Sequence, residues 1–503
     1  MLNTFPLIEN IPFIDPARVF PIFKDYKYSF FLDSGMSKYG LGQYSFLGFD
    51  PFLIFKSKGE NVEIDSRMGN TCDRPIQFHG DPFAILRQTI DQYKLPILPD
   101  LPSFLGGGVG YFSYEMKNLI EKLPAKAMDD IDIPDCIVCL YDVILIFDHK
   151  QGQAYIASSG FPEHDNNLRH KRAINRIKWV KDCLQDMIPT QIQDRWTGTS
   201  PVPTHSNKSI TSNLTHEEYI QAVMKAKEYI AAGDIYQVNL SQRLMTNITV
   251  PPFELYQQLR RINPAPFGSY LDFGEVVIAG SSPERFLQVE GKMVETRPIK
   301  GTRPRGGNRI EDKRLGQELL LSEKDRAELM MIVDLLRNDL GRVCKYGSVV
   351  VKNIRRLEAY PTVFHTVATI CGELSSDHDR FDLLKACFPG GSITGAPKIR
   401  AMEIIDELEP NKRHIYTGCI GYLSFTGSMD MNIAIRTFLI KGNQVYFHVG
   451  GGIVADSSPE DEYMETLHKG KALIKAVDFV ALTTEGTENK NHIQNFQNHQ
   501  ISS

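Results

Sequence analysis

The chain has 503 residues, of which 42% are hydrophobic and 23% charged, so it is long enough and apolar enough to fold around a sizeable core. Its formal net charge of -5 excludes the strongly basic surface of a nucleic-acid or membrane-surface protein, so we expect small-molecule or protein partners, no nucleic acid and no membrane. No apolar run reaches the length of a membrane span, and the N-terminus lacks the basic segment of a secretory signal. We therefore expect a cytoplasmic protein.

Composition divides the chain into four segments. Residues 1–186 contain mainly short strand-like runs separated by turns, which predicts a β-rich N-terminal lobe. Residues 187–214 are rich in Thr, Ser, Pro, Gln and Asn, which is typical of a linker. A capping box at Thr215 then begins a helix, and residues 215–482 alternate strands with helices, which predicts a second lobe. Residues 483–503 are polar and are predicted to form a disordered tail.

Two motifs in the N-terminal lobe resemble cofactor-binding motifs, but packing explains them better. Leu105–Glu115 is rich in glycine, yet it lacks the G-x-G-x-x-G spacing of a dinucleotide site, so we predict a strand with tight backbone packing. Cys136 and Cys139 form a lone CxxC inside a strand-like run, without a second pair. Buried thiols are therefore favoured over a zinc or redox site, and we expect all eight cysteines to be reduced.

The segment TRPIKGTRPRG places Lys300 between Ile299 and Gly301. A lysine beside a glycine, just past a strand, can present its amine to a ligand because glycine permits close approach of the backbone. Three arginines stand nearby and are expected to disfavour the protonated amine: Arg297, Arg303 and Arg305. An ordinary surface lysine is the alternative that this segment alone leaves open.

The residues before Lys300 predict a β-hairpin, with strands at Phe286–Val289 and Met293–Thr296 joined by a tight turn. In that register Glu284 lies opposite Pro298, and Lys300 is its diagonal neighbour on the same face. A carboxyl group and an amine would then line one pocket wall. An exposed ion pair between the two side chains is the alternative.

Two predicted helices carry glutamates that suit a magnesium ion. Ser322–Leu340 predicts a capped helix with Glu328 at the edge of its apolar face. A second helix begins at Pro459 with an acidic first turn, in which Glu462 and Glu465 share one face. Because Mg2+ takes a few carboxylates plus substrate oxygens and water, these three glutamates are candidate ligands. The helix dipole explains the acidic turn without a metal, and a solvated boundary position explains Glu328.

Three further stretches offer groups that bind a carboxylate. Phe388–Glu409 is a glycine-rich loop that opens a helix, where free backbone N–H groups bind anions, although a plain loop-to-helix turn explains it equally well. The predicted strand Met429–Ile440 presents Arg436, whose guanidinium is suited to bidentate carboxylate binding. That strand is predicted to carry four residues on one face: Asp430, Asn432, Ala434 and Arg436. A triple glycine follows at Gly450, Gly451 and Gly452.

Together these motifs resemble those of the chorismate-utilising enzymes, a family that includes component I of anthranilate synthase and of aminodeoxychorismate synthase, isochorismate synthases and salicylate synthases. The resemblance covers nearly the whole chain and is strongest over residues 215–477. The matching motifs, in chain order, are GDIYQVNLSQR, SSPERF, DLLRNDLGRV, FPGGSITGAPKIRAME, YTGCIGYLSF, IAIRTF and VGGGIVADSSPEDEYMET. The resemblance implies an α+β fold, a large two-lobed sandwich of antiparallel β-sheets flanked by helices, with residues 215–482 as the chorismate-binding lobe.

Within this family the lysine distinguishes two branches. Anthranilate synthases carry PIAGT where this chain has PIKGT, which is similar to the aminodeoxychorismate synthases of folate and para-aminobenzoate biosynthesis. The resemblance implies that Lys300 attacks chorismate covalently, that Glu284 is the general acid and that 4-amino-4-deoxychorismate is the product. His365 matches a histidine that anthranilate synthases use in pyruvate elimination, which keeps anthranilate synthase component I as the alternative. A catalytically silent regulatory homologue is the third possibility.

The resemblance also implies ligands and a partner. Glu328 and Glu465 match the Mg2+ ligands of the family, with Glu462 in support. The substrate-binding positions correspond to Ser392, Tyr416, Arg436, Gly450, Gly451, Gly452 and Lys469. The chain carries no amidotransferase signature, so a separate glutamine amidotransferase is implied as the source of ammonia. Some relatives bind tryptophan through an LLES-like segment, from which this chain departs at Phe31, Leu32, Asp33 and Ser34.

Overall fold

The computed structural model describes the backbone of residues 5–36, 38–66, 74–185, 210–361 and 363–499, with side chains as far as Val480. Most of the predicted linker, residues 187–209, therefore lies outside the described residues. Across the described ranges, no helix has both the length and the apolar composition needed to cross a membrane.

The strands are numbered in chain order. They are β1 (Leu7–Ile11), β2 (Phe30–Asp33), β3 (Tyr44–Gly48), β4 (Leu53–Lys58), β5 (Asn61–Ser66), β6 (Ile76–His79), β7 (Gly107–Phe112), β8 (Cys136–Tyr141), β9 (Val143–Asp148), β10 (Gln153–Ser158), β11 (Thr211–Ser212), β12 (Gln237–Asn247), β13 (Phe267–Asp272), β14 (Val277–Ser282), β15 (Arg285–Glu290), β16 (Met293–Arg297), β17 (Ile299–Pro304), β18 (Val350–Ala359), β19 (Val363–Glu373), β20 (Gly395–Ala396), β21 (Cys419–Ser424), β22 (Met429–Ile433), β23 (Thr437–Lys441) and β24 (Gln444–Ile453).

The α-helices are numbered in the same way. They are α1 (Pro16–Val19), α2 (Pro82–Ile90), α3 (Asn166–Gln185), α4 (His216–Ala231), α5 (Pro252–Ile262), α6 (Arg309–Leu321), α7 (Glu323–Gly341), α8 (Arg380–Cys387), α9 (Lys398–Leu408) and α10 (Pro459–His499).

The strands form two antiparallel sheets. Sheet one has the order β1-β10-β9-β3-β2-β13-β14-β23-β24-β12-β11, with β20 also paired to β12. Sheet two has the order β17-β19-β16-β15-β22-β21-β7-β8-β4-β5-β6, with β18 also paired to β19. Strands that precede residue 186 and strands that follow residue 210 occur in both sheets. The α+β sandwich of antiparallel sheets flanked by helices, implied by the resemblance, is confirmed.

Strand β9 shows how the layers are held together. Ile144 and Ile146 belong to the core between the two sheets, which they share with Leu140 of sheet two. Leu145 and Phe147 point the other way, into a second core between sheet one and its covering helices. Because successive side chains of a strand alternate between faces and both faces are covered, β9 is apolar from Val143 to Phe147.

Helix α4 confirms the predicted capping box. Thr215 Oγ1 accepts a hydrogen bond from the Glu218 N–H, and the Glu218 carboxylate accepts one from the Thr215 N–H. The helix ends before Gly233, whose φ of 81° is in the left-handed region. The side chains it buries are Tyr219, Ala222, Val223 and Ala226. They pack against β12 and α9, the two elements that lead into the candidate site.

The glycine-rich segment near residue 107 forms strand β7 of sheet two, as predicted. A β-carbon on Gly110 would lie 1.8 Å from the carbonyl oxygen of Ile137 in the neighbouring strand, so only glycine fits there. Cys136 and Cys139 lie in β8, where both are buried in the apolar core.

The C-terminal segment has helical backbone as far as the structure describes it. Residues 483–503 are predicted to form a disordered tail, and this stays a prediction. Helix α10 extends to His499, and residues 500–503 lie outside the described residues. Once a helix is nucleated, each added residue gains one backbone hydrogen bond, and no proline interrupts α10 after its first residue.

The prediction of one strand over Met429–Ile440 is wrong. The segment forms two strands, β22 in sheet two and β23 in sheet one, because the chain crosses between the sheets at Ala434 and Arg436. Arg436 has a φ of 51°, a left-handed conformation that a continuous strand does not contain. The four residues predicted on one face are therefore split: Asp430 pairs with Arg285 within sheet two, whereas Arg436 lies at the crossing.

Candidate functional site

Lys300 lies at a β-bulge that turns its amine towards the other sheet. It pairs with Thr366 in β19, and Gly301, the next residue, is the extra residue of the bulge with a φ of 76°. A β-carbon on Gly301 would lie 2.9 Å from a methyl carbon of Leu319, so both the conformation and the space require glycine. Lys300 Nζ would lie 3.5 Å from a β-carbon placed on Gly452 of sheet one. The amine therefore occupies the space between the sheets.

The free-base form of Lys300 is favoured by its surroundings. Burial lowers the pKa of the Lys300 amine below its ordinary value, and Lys469 lowers it further. Glu328 and Glu284 oppose this shift without reversing it. An uncharged amine has a lone pair for nucleophilic attack, so the site makes Lys300 chemically competent.

The expectation that neighbouring arginines disfavour the protonated lysine is wrong. Each arginine is neutralised by an acidic partner: Arg297 by Glu358, Arg303 by Glu318 and Asp325, and Arg305 by Asp312. An ion-paired arginine exerts little net field on its neighbours. Burial and Lys469 lower the lysine pKa instead.

Glu284 stands beside Lys300 as the hairpin register predicts. Arg285 pairs with Arg297 across the hairpin, which confirms the hairpin. Glu284, the residue before Arg285, therefore lies opposite Pro298, just before β17 begins. Glu284 is 4% exposed and its Oε1 accepts a 2.6 Å hydrogen bond from Ser392 Oγ. Burial raises the pKa of Glu284 to about 7, although Ser392 and Lys300 act to lower it. A carboxyl group that is partly protonated near neutral pH is suited to general-acid catalysis.

The triple glycine forms a wall between Lys300 and α10. A β-carbon on Gly450 would lie 2.8 Å from the Tyr416 hydroxyl, and one on Gly452 would lie 2.0 Å from Gln237 Nε2. One on Gly451 would lie 3.1 Å from Glu462 Oε2, on the other face of the strand. Larger side chains at Gly450 and Gly452 would collide with neighbouring protein atoms, so glycine is required where this strand passes Tyr416 and Gln237.

Acidic residues gather on the α10 side of that wall. Glu465 Oε1 pairs with Lys469 Nζ at 2.6 Å, and Lys469 also donates to the Gly450 carbonyl at 3.2 Å. Burial acts to raise the pKa of Glu465, but Lys469 outweighs it and holds that pKa below its ordinary value. Burial raises the pKa of Glu462, and the nearby Glu465 raises it further. Lys469 thus balances the charge of Glu465, whereas burial dominates at Glu462.

Magnesium fits this donor set. Glu462 Oε1 accepts a hydrogen bond from Ser457, but its buried Oε2 has no partner among the described residues. Glu328 approaches from α7, and burial raises the pKa of its carboxyl group while Glu465 adds to that shift. No three His, Cys, Asp or Glu side chains in the described ranges already meet at metal-binding distance. Mg2+ keeps several waters and often uses one or two carboxylates, so such a site needs no complete protein cage.

Replacing Glu465 with glutamine is expected to weaken Mg2+ binding by about tenfold or more, because a carboxylate ligand is lost. Calorimetric titration with Mg2+ alone, and the rise in Tm that Mg2+ produces, measure this without any turnover. Glu460→Gln is the matched control, since Glu460 lies in the preceding turn of the same helix but pairs with His216. Equal Mg2+ affinity in both variants and the wild type would remove Glu465 from the metal site.

Arg436 and His365 complete the site from the other end. Among the residues that the structure describes, Arg436 has no carboxylate at ion-pair distance, and its Nη1 donates only to Asn263 Oδ1 at 3.3 Å. A partly buried guanidinium without an acid favours an anionic ligand.

His365 Nδ1 lies 2.9 Å from Thr302 Oγ1, while its buried Nε2 has no partner in the described chain. Burial lowers the pKa of His365 to about 3, with Arg436 adding to the shift, so the ring is neutral.

Sequence reasoning missed the residues that support Tyr416. Arg413 is fully buried, pairs with Glu409 at 2.6 Å and donates to the Asn239 carbonyl at 2.7 Å. Its guanidinium lies 5.6 Å from the Tyr416 ring. The spacing of Glu409 and Arg413 four residues apart was the available signal, but α9 ends at Leu408, so that spacing did not mark a helical pair.

Arg413 also lines a cleft together with Tyr114, Glu115 and Lys117. Burial raises the pKa of Glu115 to about 7, and its Oε2 has no partner in the described residues. None of the candidate catalytic or metal-binding residues lines this cleft. The chemistry therefore assigns the functional site to the space around Lys300.

The segment that departs from the tryptophan-binding pattern is tied to its surroundings. Asp33 at the end of β2 pairs with Arg260 and accepts a 3.0 Å hydrogen bond from the Tyr256 hydroxyl. The Ser34 N–H donates to Ser45 Oγ at 2.9 Å. The acidic group of this segment is thus already neutralised within the chain.

Comparison with known proteins covers both sheets and every candidate site residue. The model of the chorismate binding enzyme family matches residues 44–475. The chain is 42% identical over 468 residues to anthranilate synthase component 1 of Acetivibrio thermocellus, covering 92% of each chain. It is 37% identical over 443 residues to aminodeoxychorismate synthase component 1 of Bacillus subtilis (strain 168), covering 87% of this chain and 90% of that one. The crystal structure of anthranilate synthase component I from Streptococcus pneumoniae TIGR4 matches with a TM-score of 0.73 and 32% identity, over 87% of this chain and 93% of that chain.

Proposed function

The chain belongs to the chorismate binding enzyme family, and from that premise we propose that it is aminodeoxychorismate synthase component I. In this reaction chorismate and ammonia give 4-amino-4-deoxychorismate and water. Ammonia comes from a separate glutamine amidotransferase partner. The relatives are named as components of larger enzymes, which supports a partner subunit.

The position of Lys300 is the observation that carries this proposal. Its amine lies between the sheets at a glycine bulge, beside the buried Glu284 and the Gly450–Gly452 wall. A lysine that served only as a surface charge would not need the bulge, the buried acid or a lowered pKa. An amine and a carboxylic acid at one site are the two groups that covalent substitution of a hydroxyl requires.

The first chemical step joins Lys300 to the ring. The free amine attacks the ring carbon next to the carboxylate-bearing carbon, the ring double bonds shift, and the ring hydroxyl leaves. Glu284 donates the proton that turns this hydroxyl into water. Burial keeps a fraction of Glu284 protonated near neutral pH, so the proton is available.

The second step releases the lysine. Ammonia attacks the carbon that lost the hydroxyl, the double bonds shift back and the bond from Lys300 to the ring breaks. The ammonium nitrogen loses one proton, and the departing lysine recovers its amine. In this mechanism Arg436 holds a substrate carboxylate through both steps, and Tyr416 and Gly450–Gly452 support the ring. Mg2+, held by Glu328, Glu465 and Glu462, would neutralise substrate carboxylate charge.

Anthranilate synthase component I is the second candidate, and two observations favour it. His365 stands beside the Lys300 strand with its Nε2 unpartnered among the described residues, so one ring nitrogen remains for a proton transfer such as pyruvate elimination requires. Several of the relatives carry that name, including the one from Acetivibrio thermocellus. The chain differs in presenting an amine where that reaction needs only ammonia as nucleophile.

Product analysis distinguishes the candidates. Purified protein with chorismate, Mg2+ and ammonium is expected to form 4-amino-4-deoxychorismate, without anthranilate or pyruvate. Liquid chromatography identifies the ring product, and a lactate dehydrogenase coupled assay detects pyruvate. Anthranilate with equimolar pyruvate would establish the second candidate instead. If chorismate is not consumed with either ammonium or an amidotransferase plus glutamine, the chain is a catalytically silent homologue.

A further inference from the structure

Arg436 is held by Asn263 and Ser281, of which only Asn263 lies outside the chorismate-family motifs quoted above. Asn263 is 5% exposed, lies at the C-terminal end of α5, and accepts the hydrogen bond from Arg436 Nη1 at 3.3 Å. Ser281 in β14 donates its N–H to the Arg436 carbonyl at 3.0 Å. One neighbour thus fixes the guanidinium and the other fixes the backbone.

Asn263 and Ser281 also fix each other. Asn263 Nδ2 donates to Ser281 Oγ at 3.1 Å, and Ser281 Oγ in turn donates to the Asn263 carbonyl. Because Nδ2 is used in this way, Oδ1 is the amide atom that faces Arg436. The amide therefore cannot rotate away without losing a buried hydrogen bond.

Arg436 needs such an anchor because of where it lies. It occupies the crossing between the sheets with a φ of 51°, a conformation unfavourable for a residue with a side chain. Its long side chain has many rotamers, and bidentate binding of a carboxylate requires one orientation of the guanidinium plane. A neutral amide is a suitable anchor, since it accepts one N–H without cancelling the charge that the substrate requires.

We propose that Asn263 is a positioning residue that sets the orientation of Arg436 for the substrate carboxylate while leaving its charge free. This inference rests on the proposed function, because it takes chorismate as the ligand. Asn263 touches no reacting atom in this assignment and acts through Arg436.

Two substitutions of Asn263 separate positioning from packing. Asn263→Ala removes the anchor and is expected to raise the KM for chorismate by about tenfold, with kcat within about threefold of the wild type. Asn263→Asp keeps the shape but gives Arg436 a carboxylate partner that competes with the substrate, so KM is expected to rise by about 100-fold. A role in packing alone predicts the reverse order, because aspartate is nearly isosteric with asparagine.

A double-mutant cycle with Arg436→Lys completes the test. If Asn263 acts through Arg436, Asn263→Ala adds less than threefold to the KM of Arg436→Lys. Additive effects, or a larger KM in the alanine variant than in the aspartate variant, would overturn the inference. Tm values of each variant exclude unfolding, and the nearly isosteric aspartate variant serves if the alanine variant does not fold. A wild-type protein that does not consume chorismate would instead overturn the proposed function.

Discussion

Replacing Lys300 with alanine is expected to abolish the covalent adduct with chorismate and to lower formation of 4-amino-4-deoxychorismate by about 100-fold or more. The reason is that the amine forms the bond that divides a difficult substitution into two easier steps. Intact mass spectrometry of protein incubated with chorismate and Mg2+, without ammonium, measures the adduct. Omitting ammonium matters because the second step then cannot release the lysine.

Lys292→Ala is the matched control for this experiment. Lys292 lies in the turn of the same hairpin, is exposed, and donates only to the backbone carbonyls of Ser375 and His378. Its loss should leave both the adduct and the rate unchanged. An adduct of the same mass in the Lys300→Ala protein would show that another group is the nucleophile, and the assignment to the PIKGT branch would lose its mechanism.

Replacing Glu284 with glutamine is expected to lower kcat by about 100-fold to 10,000-fold and to remove the alkaline limb of its pH profile. The carboxyl group acts as an acid in its protonated form, and burial raises its pKa to about 7. Wild-type kcat should therefore fall as the pH rises through about 7, because the proton donor is lost. Steady-state kinetics from pH 5.5 to 9 at saturating chorismate measure this limb.

Ser392→Ala tests the cause of that limb. Ser392 donates to the Glu284 carboxylate and so stabilises its charged form. Removing this hydrogen bond should raise the pKa of Glu284 and shift the alkaline limb to higher pH, whatever happens to KM. If the limb stays in place in both the Ser392→Ala and Glu284→Gln proteins, a different group controls it, and Glu284 is not the general acid.

Local patterns predicted the parts of the site that lie close together in the chain. The hairpin that brings Glu284 to Lys300 needs only its turn and the alternation of its strands, and the structure confirms it. The capping box at Thr215 and the acidic start of α10 follow in the same way from a few adjacent residues. Each of these depends on interactions within about one hairpin or one helical turn.

Contacts between distant residues were not predictable in this way. Asn263 and Arg436 are 173 residues apart, and nothing in either segment alone indicates the other. The predicted strand was extended through Arg436, because the alternation of side chains along a strand does not reveal that the chain passes from one sheet to the other. The effect of the nearby arginines on the protonated Lys300 amine was wrongly predicted for the same reason, since their acidic partners Glu358, Glu318 and Asp312 belong to other elements.

The sequence by itself determined the family, the sandwich of antiparallel sheets, and the types of residue that carry the chemistry. The family and the sandwich followed from the resemblance of the ordered motifs to a known family. The types of residue that carry the chemistry follow from side-chain identity. The tertiary structure alone decided that the Lys300 amine lies between the sheets, and that its lowered pKa comes from burial and Lys469. Both results depend on how far water and the other charges are from the amine, and those distances exist only after distant segments have packed together.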